Sequence, residues 1–324
     1  MSKFLVLSAA LALVHPAVTV FAQAAYPSKP IRMIVPVAPG GGADITARAL
    51  AQKLTELWGQ QIIIDNRAGA GGIVGLEIGA RSAPDGYTLI QGSVGPLTVN
   101  PALHKKLPYD SIRDFEPVTR AVSALNVLVV HPSLPVHSVK DLITYAKTNP
   151  GKLSFGSSGA GRADHLAGEL FNRLAGVKMQ HVPYKGGAPA MIDLVAGNVQ
   201  LIFATVSTAI VHMKSGRIRT LASTSAKRPE LLPDIPTVAE AGVPGFEIEN
   251  WYGFVVPAGT PKPIVAVLHR EINRNLALPD VKERLNVLGI APFPTATPEA
   301  FGGYIRSETK KYGELIRSAG IVAD

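Results

Sequence analysis

Short apolar runs alternate along this chain with segments of helical period, and that alternation constrains the fold more than any other feature. Residues 31–35, 61–64, 88–91, 126–130, 153–155, 199–203, 219–222 and 253–256 read as buried strands. Between them lie amphipathic stretches: Leu50, Leu54, Leu57 and Trp58 recur at i, i+4, i+7 and i+8, and Leu166, Leu170 and Leu174 at every fourth place. Strands alternating with helices predict an α/β architecture of parallel sheets covered on both faces. Pro132 and Pro135 interrupt the pattern ahead of a helix over 139–147, and Pro233, Pro236, Pro244 and Gly245 interrupt it again before Trp251. These breaks predict a middle lobe, 126–249, set between outer segments 25–125 and 250–324 that pair into the other lobe. Two crossings between lobes make a hinge.

The N-terminus sets the compartment. Lys3 precedes apolar runs at 4–14 and 18–21, and Ala22-Gln23-Ala24 supplies a small-residue cleavage site, so residues 1–24 read as a secretory leader. His15 and Pro16 leave the run short of the ~20 apolar residues that span a bilayer. The absence of cysteine excludes both a disulfide framework and a thiolate metal site. With 47% hydrophobic and 17% charged residues, the chain is globular and not disordered. Its net charge of +8 is dispersed, with no cluster denser than Lys105-Lys106 or Lys310-Lys311. Nucleic-acid binders concentrate charge on one face, so this excess reads as a solvated surface with a bias toward anionic ligands.

Two turns carry the chemistry. Pro39-Gly40-Gly41-Gly42-Ala43-Asp44 lies between a strand and a helix, where consecutive glycines leave amides open at a helix N-terminus suited to an anion. Asp44 caps that helix, pairs with Arg48, or extends into a cleft. The run is neither a Walker loop nor a G-x-G-x-x-G fingerprint. In the other lobe, Ser157-Ser158-Gly159-Ala160-Gly161-Arg162 repeats the device and adds hydroxyl donors. One such turn is a common structural element; two, one per lobe, predict a grip on opposite ends of one ligand. Ser93, at a strand end, is a further donor. The glycine turn at 66–72 reads first as backbone geometry.

No catalytic or metal constellation emerges. His165 and Glu169 stand one helical turn apart without a third ligand at a telling spacing, and there is no G-x-S-x-G elbow. His165 is expected to pack or to line the cleft. Trp251-Tyr252 reads as core or hinge packing.

Taken together, the segments resemble the Bug-type solute receptors of tripartite tricarboxylate transporters. The resemblance rests on Pro36 to Asp44 with Ala47-Arg48, Pro84-Asp85-Gly86-Tyr87-Thr88-Leu89, Gly156 to Gly159 and His165 to Glu169. Val182-Pro183-Tyr184-Lys185-Gly186, Pro233 to Thr237, Gly242 to Phe246 and Trp251-Tyr252-Gly253 complete it, in order, over essentially the whole mature chain. It implies a two-lobed type II periplasmic-binding-protein fold, a periplasmic monomer without cofactor, a small carboxylate ligand held by amides, hydroxyls and waters, and delivery to membrane permease subunits. By position it assigns the ligand to glycines 40–42, Asp44, Ser157, Ser158 and Gly159, with Thr205 beside them. Two departures stand out: Ala204 where relatives often carry an acid, and Arg162 where a small hydroxyl residue is common. Arg162 is therefore either a second anion contact or a solvent-facing group. The alternative reading is an exported hydrolase or lyase using Ser157 or His165, with the turns as an oxyanion site. The lobe pair of a transcription regulator would need a DNA-binding domain, for which the N-terminus offers only a leader.

Overall fold

The computed structural model describes residues 26–321; the expected leader lies outside that range. The outer segment begins with β1 (Ile31–Val35), α1 (Gly42–Trp58), β2 (Ile62–Asn66), α2 (Ile73–Ala80), β3 (Thr88–Ser93), α3 (Asn100–Leu103) and β4 (Phe115–Ala124). The middle segment runs β5 (Asn126–Val130), α4 (Val139–Thr148), β6 (Ser154–Ser157), α5 (Ala163–Ala175) and β7 (Gln180–Pro183). It continues through α6 (Gly187–Val195), β8 (Leu201–Thr205), α7 (Val206–Lys214) and β9 (Arg219–Ser223). Then β10 (Asn250–Pro257), α8 (Lys262–Leu276), α9 (Pro279–Asn286), β11 (Ile290–Pro292) and α10 (Pro298–Ala319) return to the outer part.

Two sheets result, ordered β11-β4-β10-β3-β1-β2 and β7-β6-β8-β5-β9, one in each of two α/β lobes. They are mixed, which corrects the expectation of parallel sheets. β1 runs parallel to β2 and β3, and β6 to β7 and β8, but β10 is antiparallel to both β3 and β4, and β5 to both β8 and β9. A helical crossover within one lobe is what makes successive strands parallel. β5 and β10 enter from the opposite lobe without one. The crossings lie side by side: Asn250 Nδ2 donates to Asn126 Oδ1 at 3.1 Å.

Three strands escaped the sequence reading. β4 contains Glu116, Pro117 and Arg120 and shows no apolar run, yet it pairs with β10 along its length, and Pro117 sits where the register shifts. β7 and β11 are short edge strands whose existence depends on distant partners.

The helices follow their stripes with one shared exception. α1 buries Ala43, Ala47, Leu50, Ala51 and Leu54 and ends at Gly59, whose left-handed backbone returns an N–H to Thr55 O. Leu57 and Leu174, expected in stripes, are 44% and 42% exposed, each in the final turn of its helix. Trp58 packs on the core beside Leu57. The middle lobe centres on Phe171, Phe203 and Phe246, with ring centroids 5.8–6.4 Å apart. Truncating Phe171 to alanine there costs about 3–5 kcal/mol. On β10, strand alternation sends Trp251 into the core against Phe301 and Tyr304, and Tyr252 to the opposite face.

Candidate functional site

At the first turn, Gly41 is the N-cap of α1, with φ −82° and ψ 166° and no side-chain cap. The amides of Gly42 and Ala43 meet no acceptor among the described residues, as the opening turn of a helix dictates. Asp44 is buried and fully engaged: Oδ2 accepts from Gly40 N–H at 3.0 Å and Arg48 Nε at 2.8 Å, and Oδ1 from Asn66 Nδ2 at 2.9 Å. Burial alone would raise its carboxyl, but Arg48, the Gly40 amide and Asn66 together outweigh burial and hold it below the ordinary carboxylate range. A Cβ on Gly42 would come within 2.6 Å of Ser207 Oγ and 3.0 Å of Tyr252 Oη, so a side chain there would force these groups to shift.

The second turn follows the same plan. Arg162 is the N-cap of α5, with φ −81° and ψ 165°, and the amide of Ala163 has no acceptor among the described residues. Asp164 Oδ2 accepts from Ser158 N–H at 2.6 Å, and Oδ1 from Ser158 Oγ at 2.9 Å and His165 N–H at 3.0 Å. Burial raises Asp164 above the ordinary range, with Ser158, Arg162 and the His165 amide opposing it. Burial also lowers the pKa of Arg162, against the pull of Asp164, Tyr252 and Tyr109. Behind the turn, Ser157 Oγ lies 2.6 Å from His181 Nε2 and accepts from Gly159 N–H at 3.1 Å. His165 Nδ1 accepts from Gly161 N–H at 3.0 Å, and its ring stacks on His181 at 4.0 Å.

Both turns face one narrow cleft between the lobes, with about 30 Å³ of cavity volume. Gly41, Gly42 and Ala43 line it from the first lobe, and Ser158, Arg162, Ala163 and Asp164 from the second. Asn126 and Asn250 come from the crossings. The lobes touch beside it: Ala38 N–H donates to Lys185 O at 2.9 Å, and Gly71 packs directly on the carbonyl of Ala160.

Among the residues singled out from sequence, Gly41, Gly42, Ser93, Ser158, Arg162 and Thr205 line this cleft. Pro39, Gly40, Asp44, Ser157, Gly159 and His165 do not; Asp44, Ser157 and His165 stand behind the wall and brace the turns. Sequence reasoning missed Asp164, Gly187, Thr208, Asn126, Asn250 and the wall position of Tyr252. Asp164 was findable, because it follows its glycine turn as Asp44 follows the first. The asparagines were not, since only the crossing geometry brings them together. Burial pushes the Tyr252 hydroxyl up to about 12, so it stays protonated and able to donate.

A family profile described as tripartite tricarboxylate transporter family receptor matches residues 46–321. Protein BugT of Bordetella pertussis is 38% identical over 296 residues, covering 91% of this chain and 90% of that protein. The R. palustris protein Rpa4515, solved with adipate, is 37% identical with a TM-score of 0.89, covering 92% of this chain and 99% of that one. MatC from Rhodopseudomonas palustris, solved with bound malate, is 31% identical with a TM-score of 0.86, covering 90% and 100%.

Proposed function

The chain belongs to the tripartite tricarboxylate transporter receptor family, and from that premise we propose that it captures a small organic carboxylate outside the cytoplasm and delivers it to membrane permease subunits. The carrying observation is the convergence of two helix starts, one from each lobe, on one cleft with amides that have no acceptor among the described residues. Such amides carry partial positive charge, and a carboxylate satisfies them with charge-assisted hydrogen bonds of about 1.5–3 kcal/mol each. The adipate and malate held by two relatives support this ligand class.

In this reading the lobes are 25–125 with 250–324, and 126–249. They close as a monomer over the ligand, because contacts to both helix starts exist together only in the closed form. The leader is removed and the mature chain resides in the periplasm, as its family implies. Pro39, Gly40, Asp44, Ser157, Gly159 and His165 act by shaping the turns, and Gly41, Gly42, Ser93, Ser158, Arg162 and Thr205 by meeting the ligand.

One observation favours a hydrolase: Ser157 Oγ is within hydrogen-bond reach of His181, as a nucleophile and its base would be. Against it, Ser157 is fully buried, off the cleft wall, and already accepting from Gly159. The receptor is the better reading.

The test is thermal unfolding of the mature chain, refolded from denaturant to strip carried-over ligand, against a carboxylate panel that includes adipate and malate. A cognate acid at hundredfold excess over its Kd stabilises by about 2.7 kcal/mol. Stabilisation by no acid, or ester turnover that vanishes in Ser157→Ala, overturns the proposal.

A further inference from the structure

We infer that Arg162 reads a second negative charge on the ligand, so that the cleft selects molecules anionic at both ends; this rests on the receptor reading above. Arg162 is only 6% exposed, yet it lines the cleft. Its Nη1 is buried and meets no hydrogen-bond acceptor. Ser93, 4% exposed on the same wall, likewise has an Oγ without a partner. A buried guanidinium with an unmet donor is costly, and an arriving anion would remove that cost. The nearest acid does not fill that role. Asp164 already accepts three hydrogen bonds, from Ser158 N–H, Ser158 Oγ and His165 N–H.

The guanidinium has other neighbours than the first helix start. Arg162 springs from the second lobe, but Nη1 lies 3.2 Å from where a Cβ of Gly72 would stand, and Pro96 closes on the same point at 3.4 Å. Gly72, on the first lobe, makes room for the charged group by having no side chain. Gly95 does the same for the Arg162 Cα, which lies 3.2 Å from where its Cβ would be. Around Gly42, by contrast, the neighbours are Ser207, Tyr252 and Thr205. The cleft wall therefore carries two kinds of polar group. One kind is neutral amides and hydroxyls, which hold any carboxylate. The other is a full positive charge and the Ser93 hydroxyl, which distinguish a second carboxylate from an apolar or neutral tail.

The experiment compares each diacid with its own monomethyl ester, which keeps length and removes one charge. Succinate, malate, adipate and suberate, their half-esters, and hexanoate are screened by thermal shift on ligand-stripped protein, and the tightest pair is measured by calorimetry. The expected result is that the diacid binds about ten- to hundredfold more tightly than its half-ester. Arg162→Met removes that preference by weakening the diacid and leaving the half-ester nearly unchanged. Arg162→Lys, which keeps the charge and loses the fork, retains part of the preference and carries the test should the Met protein fail to fold. Equal affinities for diacid and half-ester overturn the inference while leaving the receptor standing. So does a Met variant that melts lower with its preference intact, which would assign Arg162 to lobe packing. Failure of every acid to bind removes both readings.

Discussion

The two turns that face the cleft share a backbone and differ in charge. Gly41 and Arg162 cap their helices with φ and ψ within a degree or so of each other, and each helix folds an acid of its first turn back onto an amide of the preceding turn. Asp44 accepts a hydrogen bond from a half-exposed Arg48 and is held ionised; Asp164 accepts, among the described residues, only from Ser158 and the His165 amide, and burial pushes its carboxyl upward. The same local device thus becomes a rigid prop in one lobe and part of the cleft wall in the other. The difference lies in what surrounds each acid and in no feature of the turn itself.

Ways to break that comparison follow in order of expected size. Gly42→Val drives a side chain into Ser207 of the other lobe and Tyr252 of its own and should weaken carboxylate binding by about 2–3 kcal/mol, read by calorimetry. Gly41→Ala should cost far less, since the nearest atom to its Cβ is the Gly187 amide at 3.8 Å. Equal losses would mean that crowding at the first turn does not govern binding.

Asp44→Asn should destabilise the protein at neutral pH by about 1–2 kcal/mol in denaturant unfolding, discounted because Arg48 is half exposed. Asp164→Asn should cost less at neutral pH, because there it also relieves the burial of a charge. A larger loss at Asp164 would invert the comparison.

The pH dependence runs in opposite senses. Asp44, lowered by folding, stabilises fully above the ordinary carboxylate value, and that contribution is lost as pH falls through its lower folded value. Asp164, raised by folding, binds its proton more tightly in the native state, so its contribution declines as pH climbs from the ordinary value through the raised one. Melting curves of the two Asn variants against wild type should therefore flatten on opposite sides of about pH 4. The smallest effect is Arg48→Gln, about 0.5 kcal/mol and diminished by salt.

The α/β class, the two lobes and both helix starts were legible because each follows from spacing within some twenty residues: a buried run, a glycine turn, an amphipathic stripe. β4 was not, because its polar face and Pro117 hide a strand that exists through its pairing with β10 and β11. Ser157 and His165 illustrate the same limit within the site. Sequence offered Ser157 as a group for the ligand and left His165 either to pack or to line the cleft, while packing turned them onto His181 and Gly161.

The sequence alone determined where the chain turns, which turns expose amides at a helix start, and which family pattern they belong to, since backbone freedom and hydrophobic period are local properties. Only the tertiary structure decided that the two starts share one cleft, that the sheets are mixed, and that a guanidinium of one lobe lodges against Gly72 of the other. Those outcomes depend on contacts between residues far apart in the chain, where burial and through-space charge act and where local spacing carries no information.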